Sequence, residues 1–378
     1  MNFRIASLLV LALAASTSVA DSRCPSTAPK RVVYGWFPGD MDPKKNNDWS
    51  TAALDWTALT HLSFRAVLLK GDGSVVPGYG TTPERVRKLV QEAHGHGVKI
   101  TVLAWGVNAD ASSEYLAHHA EKTVDGLLEY VKTYDLDGVN IDDETWKRSN
   151  KLAPDGNRDL VTKFFKLLHD KFKAARADYH LSWASPGVIA PNDKFSESWP
   201  DYKTIADYID GYTVMSYVMS PPSIGWTGSS QPVSGGGRVG DHARDYETLV
   251  QDYVAATGGR KDKLILGVGN ERTGIEWDCR TDQPLSPILG KPRMLTAVEA
   301  RANAEKHGRK FDPKQQAPWY CYAKGDGFVQ GWYEDEESFA AKLKLFRRHD
   351  LAGVCIWVLD GVREPADVFT SIRKHILE

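Results

Sequence analysis

The sequence predicts a (β/α)8 TIM barrel, and two observations carry that prediction. Short runs rich in Val, Ile, Leu and aromatic residues alternate with longer stretches of helical period, the pattern of βα units around a parallel sheet. Eight such runs occur, the number that closes a barrel. They are Val32 to Phe37, Thr60 to Leu69, Ile100 to Gly106, Gly138 to Glu144, Leu181 to Pro186, Tyr212 to Val218, Leu264 to Gly269 and Val354 to Leu359.

The intervening helices show apolar stripes that would pack on the outside of a sheet: Val124, Leu127, Leu128 and Val131 in one, Val161, Phe165, Leu168 and Phe172 in another. Turn residues mark the joints, as in His94-Gly95-His96-Gly97 and Gly258-Gly259. His94 and His96 sit at a helix exit and are expected to be solvated, with no metal there. The interval between the seventh and eighth runs is about twice the length of most others, so a small α+β insertion is expected over residues 272–333. Within it Thr296 to His307 has a helical pattern, and Pro318 to Tyr322 and Phe328 to Tyr333 read as strands. The Gly-rich piece Ser234 to Gly240 lacks a following Gly-Lys-Ser/Thr and is expected to be a flexible loop, not a phosphate cradle.

At the N-terminus, Arg4, the apolar run Ala6 to Ala15 and the small residues Ser18-Val19-Ala20 predict a signal peptide over residues 1–20, with the barrel in 21–378. The run is too short for a membrane span. The expected destination is secreted or periplasmic, or lysosomal in a eukaryote. A net charge of -2 gives no basic field to attract nucleic acid, so a neutral substrate is expected. No later stretch is apolar enough to span a bilayer, so no membrane partner is expected, and the chain is expected to be a monomer. Four cysteines are too few to staple a fold of this size, and Cys279 and Cys321, in the same insertion, are the expected pair; Cys24 and Cys355 remain.

Candidate chemistry lies in DGVNIDDE, at the end of the fourth run. Alternation along a strand puts Gly138, Asn140, Asp142 and Glu144 on the inward face and Val139 and Ile141 against the helices. Polar residues in a row on that face, reaching the C-terminal end where barrel sites lie, need each other or a ligand. Glu144, outermost, is the candidate general acid for breaking a glycosidic bond, and Asp142, one pleat below, would raise its pKa by sharing a proton. Spacing alone leaves two alternatives open: a divalent metal site built from Asp137, Asp142, Asp143 and Glu144, and a buried acidic cluster satisfied by barrel polar groups.

DGVNIDDE resembles the D-G-x-D-x-D-x-E signature of glycoside hydrolase family 18, the chitinase and chitobiase family, through Asp137, Asn140, Asp142 and Glu144. Met215-Ser216-Tyr217 resembles its M-x-Y, Trp357 its floor tryptophan, and FDPKQQAPWYCY and GWYEDEESFAAKLKLFRRHDLAGVCIW are similar in layout to its last third, especially in the di-N-acetylchitobiase and spore-cortex branches. The likeness spans Val32 to Ile376. It implies cleavage of β-1,4 linkages in N-acetylglucosamine-containing glycans, chitin or chitooligosaccharides, with retention and without metal or organic cofactor. The resemblance further implies that the substrate's own acetamido oxygen would attack, an exception to the two-carboxylate scheme. Glu144 would be the acid, Asp142 would orient the acetamido group and Tyr217 would hydrogen-bond it. Alternatives are a peptidoglycan or chitobiose-core N-acetylglucosaminidase, and a barrel lectin that binds chitooligosaccharide without cleaving it.

Four places depart from the commonest pattern: Asn140 replaces an Asp, Asp143 an aromatic or apolar residue, Val218 an Asp, and Ala104-Trp105-Gly106-Val107 the S-x-G-G of the third strand. Asp143 should point outward and be hydrogen-bonded at the strand end. Trp357 shares a parity with Cys355 and Leu359, which faces it inward to stack on a pyranose. Asn140, Met215, Trp105 and Tyr34 complete the expected substrate-binding set, with Trp36 beside them near a strand top.

Overall fold

A computed structural model describes residues 31–37, 51–52, 54–78, 80–146, 154–190, 198–217, 219, 225–239, 242–269, 274–359 and 366–377. The expected signal peptide, Cys24 and Val218 lie outside the described residues.

Eight parallel strands close on themselves: β1 (Val32–Phe37), β2 (His61–Leu69), β3 (Lys99–Gly106), β4 (Gly138–Asp142), β5 (His180–Ser185), β6 (Gly211–Val214), β7 (Leu264–Gly269) and β8 (Gly353–Trp357). Neighbours follow chain order, and β1 pairs with both β2 and β8. The period of two divides each strand between two cores. Val33, Leu62, Phe64, Val102, Val139, Ile141, Leu181, Val354 and Ile356 face the helices in one large cluster. Tyr34, Trp36, Leu103, Ala184, Ile265 and Cys355 fill the interior, with Trp105, Met215, Tyr217 and Trp357 half-buried above them. Each fully buried aliphatic side chain contributes about 1.5–3 kcal/mol, so the outward alternation alone specifies register strongly.

Four strands end earlier than sequence predicts: β4 at Asp142, β5 at Ser185, β6 at Val214 and β8 at Trp357. At the mouth the ladder has no further partner, and backbone groups turn to local hydrogen bonds. Leu359 accordingly leaves the expected inward parity and joins the outer core, while Val358 joins the interior. The helix Ala109–His118 begins where Asn108 accepts a hydrogen bond from Ala111 N at 2.9 Å, and it brings Ser112 and Tyr115 to the top of β4.

The base is held by Asp137, just before β4. Its carboxylate accepts from Ile100 N at 2.9 Å, His94 Nε2 at 2.8 Å and Arg176 at 3.1 Å. Burial pushes this carboxyl up, but the His94 and backbone hydrogen bonds bring it below its ordinary value, and the same bond to Asp137 raises His94. His94 and His96 are both exposed, as expected, and each also has a contact: His94 bonds Asp137 and His96 stacks on Trp56 at 5.1 Å.

Between β7 and β8 the chain forms a five-stranded antiparallel sheet in the order Arg293–Leu295, Gly274–Cys279, Gly327–Trp332, Ala317–Lys324, Lys310–Asp312, with the helix Ala297–His307 against it. The strand Gly274–Cys279 has period-two burial, but its two acidic residues lower its apparent strand propensity and hid it in the sequence. Cys279 and Cys321 lie on strands separated by Gly327–Trp332 and are out of register, so at least about 9.5 Å (two strand spacings) separates them, and both are free thiols. The expected disulfide is therefore not formed, because that separation exceeds what an S–S bond spans. The Gly-rich stretch is also not a slack loop: Arg238–Val239 pairs with His242–Ala243, and a Cβ on Gly237 would fall 1.5 Å from the Trp226 indole nitrogen.

Candidate active site

The site begins with a reversal at the end of β4. Asp142 points into the barrel mouth, while Asp143, its neighbour, is buried on the outside. The Asp143 carboxylate accepts from Ser112 Oγ at 2.5 Å, Tyr115 Oη at 2.9 Å, Thr145 N at 2.9 Å and Thr145 Oγ1 at 2.7 Å. Trp146 Nε1 donates to Tyr115 Oη at 2.9 Å. Residues on both sides of Glu144 are thereby pinned to one helix, and Glu144 itself stands exposed at the mouth. Gly106 completes the arrangement: a Cβ there would lie 2.2 Å from the Asp143 carboxylate. Gly106, which keeps the first Gly of S-x-G-G, therefore makes room for the departure at Asp143.

Asp142 is cross-strand to Trp105. Its Oδ1 is buried with no hydrogen-bond partner among the described residues. Burial, then Glu144 and Asp143, push its carboxyl well above the usual range, against the opposing charge of Arg65.

Tyr217 lies flat on Trp357, with ring centroids 5.9 Å apart and planes 12° from parallel. Both meet the edge of Trp36, at 6.1 and 5.9 Å. Burial, then Asp142, Cys355 and Glu144, hold the Tyr217 phenol well above its ordinary value, so its hydroxyl stays a donor. Met215 is half-buried on the same inner face. The mouth thus gathers two carboxylates, a phenol and an indole floor.

Two expected substrate contacts lie deeper. Asn140 is fully buried: its Nδ2 donates to Ser182 Oγ at 2.8 Å and Thr213 Oγ1 at 3.0 Å, and its Oδ1 accepts from Trp36 Nε1 at 3.2 Å. Tyr34 is equally buried, its hydroxyl 2.6 Å from Thr101 Oγ1. Both support the floor from below and offer no surface to a ligand. The four acidic residues of the metal alternative also part company, since Asp137 is at the base and Asp143 faces the helix. Among the described residues no three His, Cys, Asp or Glu side chains gather as a metal site.

Arg65 is the mouth residue that sequence reasoning missed. It is a charged residue at an inward position of β2, one parity with His61 and Ser63, and that misplaced charge was the available signal. Its guanidinium covers the Trp105 ring, 3.6 Å from the centroid.

The family model for glycosyl hydrolases family 18 matches residues 36–361. Human di-N-acetylchitobiase is 23% identical over 308 residues, covering 76% of this chain and 73% of that protein. Among solved structures, the Group IV chitinase of Ostrinia furnacalis superposes with a TM-score of 0.75 at 16% identity, over 92% of this chain and 100% of that one. The spore cortex-lytic enzyme of Bacillus megaterium superposes with a TM-score of 0.67 at 18% identity, over 93% of this chain and 76% of that one. The chain, with its barrel and its acidic mouth, belongs to glycoside hydrolase family 18 and is a glycosidase.

Proposed function

We propose that the enzyme cleaves β-1,4 linkages in N-acetylglucosamine-containing glycans, chitin or chitooligosaccharides, with retention and with the substrate's acetamido group as nucleophile. The observation that carries this reading is the electrostatic coupling of Asp142 and Glu144 at the mouth, where both also act on Tyr217 in its stack with Trp357, while Asp137 and Asp143 are turned away to the base and to a helix. A retaining enzyme with its own nucleophile needs a second carboxylate across the sugar. Asp137 and Asp143, held at the base and against a helix, are not placed for that.

Glu144 protonates the glycosidic oxygen as the bond to C1 breaks. The acetamido carbonyl oxygen closes on C1 to give an oxazolinium ion, its N–H donating to Asp142 while the Tyr217 hydroxyl donates to the carbonyl oxygen. Glu144, now a carboxylate, takes a proton from water, which opens the ring and restores the starting configuration. Trp357 stacks under the sugar, with Met215 and Trp105 flanking.

Purified protein incubated with chitooligosaccharides and with peptidoglycan, beside Glu144→Gln, tests this. The expected result is β-configured product from chitooligosaccharide with the parent, unchanged by EDTA, and at least about a thousandfold less with the variant. Release from peptidoglycan alone would reassign the substrate, binding without cleavage would make the protein a lectin, and full turnover by Glu144→Gln would remove the acid assignment. We also infer export with loss of residues 1–20 and a monomeric enzyme. An N-terminus at Asp21 and a monomer mass in solution are the expected measurements.

A further inference from the structure

Arg65 is costly where it stands. A half-buried guanidinium keeps its charge and five donors, yet among the described residues it donates no hydrogen bond and forms no ion pair. Its packing on Trp105 returns roughly 1 kcal/mol. The backbone aims it: β2 slips register against β3 between Arg65 and Val67, and such bulges redirect side chains next to active sites. The slip makes Arg65 the last inward residue of β2 before that strand pairs with Val75–Pro77. Trp105, which carries the guanidinium, is the cross-strand neighbour of Asp142.

Asp142 lacks other help. Beneath it Asn140 is neutral, and both ends of its amide are occupied by Trp36, Ser182 and Thr213. The titratable groups that act on Asp142 are Glu144 and Asp143 from the end of β4, Tyr217 beyond β6 and Arg65 from β2; Trp105 on β3 is uncharged. Arg65 is the cation of that set.

We propose that Arg65 is a positioning residue whose charge lets Asp142 ionise while Glu144 keeps its proton, so that the pair holds one proton on the leaving-group side. This rests on the proposed substrate-assisted reaction, in which Asp142 must accept from the acetamido N–H and Glu144 must donate. A fixed cation favours the singly protonated pair over the doubly protonated one and lowers both macroscopic steps. It does from the side what a neutral Asn140 cannot do from below.

The test compares parent, Arg65→Gln and Arg65→Lys by pH dependence of kcat and KM on a chitooligosaccharide, and by carbon-13 NMR titration of the Asp142 carboxyl without substrate. In Arg65→Gln both limbs of the profile and the carboxyl titration should move up by about one pH unit, with kcat falling about tenfold on the acid side and KM changing less. Arg65→Lys should hold the parent profile within a few tenths of a unit. Superimposable profiles, a change confined to KM, or a Lys variant that shifts as far as Gln would overturn the proposal. If Arg65→Gln does not fold, the neutral Arg65→Met takes its place and is read by the same criterion. Should the carboxyl titration move in a protein that cleaves nothing, the substrate-assisted reading fails while the electrostatic link between Arg65 and Asp142 stands.

Discussion

The indole nitrogen of Trp36 donates to the amide oxygen of Asn140 at 3.2 Å, inside a barrel that gives Asn140 no contact with solvent. The same Trp36 meets the edges of Tyr217 and Trp357 above, so the residue below Asp142 and the sugar floor share one support. Asn140→Asp would put a carboxyl where burial and Asp142 both disfavour its charge. Its folded pKa would be raised, so its contribution to stability is present at low pH and lost as pH rises. The variant should melt lower than the parent at pH 8 and less so at pH 5, and the acid limb of its activity profile should move up. Identical profiles would show that position 140 does not tune the acid pair.

Asp143 acts on Glu144 through Thr145 and the helix Ala109–His118. Asp143→Ala, or Gly106→Ala, which drives a methyl into the carboxylate, should lower kcat about tenfold to a hundredfold by misplacing Glu144, with KM changing less. Steady-state kinetics on protein shown to be folded by near-UV circular dichroism checks this; an unchanged kcat would leave Asp143 a purely structural residue.

Trp357 is half-buried, supported by Trp36 and parallel to Tyr217. Replacing it with Leu removes the flat surface while keeping an apolar one, and kcat/KM should fall by roughly tenfold or more. Equal binding of a chitooligosaccharide by parent and variant in calorimetry would rule out stacking.

At the barrel base His61 and His180 are buried with rings 4.5 Å apart, and His180 Nε2 has no hydrogen-bond partner among the described residues. Burial, then Lys99, Lys173 and Lys263, lower His180 to about 3; burial and His180 lower His61 well below its ordinary value. Both folded values are depressed, so the stability they contribute is full above the unfolded value of about 6.5 and drains as pH falls toward the folded values. Melting temperature should drop on acidification from pH 7 to pH 4, and less steeply in His180→Leu. Parallel curves would show that the pair does not set acid stability.

Lys342 and Glu334 form an ion pair at 2.5 Å with both side chains essentially buried. Ser338 Oγ also donates to Glu334, at 2.6 Å. Lys342→Met alone strands a buried carboxylate and should cost about 3–5 kcal/mol, whereas Lys342→Met with Glu334→Leu should recover much of that loss. Denaturant unfolding of the three proteins measures it.

The barrel was legible because its signal is local and repeated: each βα unit carries its own apolar period, and eight of them leave one closed solution. The inward parity of Asp142 and the outward turn of Asp143 followed from the same alternation. Parity does not report depth, however. Tyr34 and Trp357 are both inward on their strands, yet one lies sealed in the interior and the other opens at the mouth, because depth depends on the stagger of neighbouring strands. The disulfide expectation failed for a related reason, since placing two cysteines in one insertion does not say that a third strand runs between them.

By itself the sequence determined the family, the barrel and the acidic segment that ends β4, all of which are written in contiguous residues. Only the tertiary structure decided that Asn140 supports the floor instead of meeting a ligand, that Gly106 makes room for Asp143, and that Arg65 packs on Trp105, the cross-strand neighbour of Asp142. Those relations join strands distant in sequence, and closing the sheet is what brings them within reach of one another.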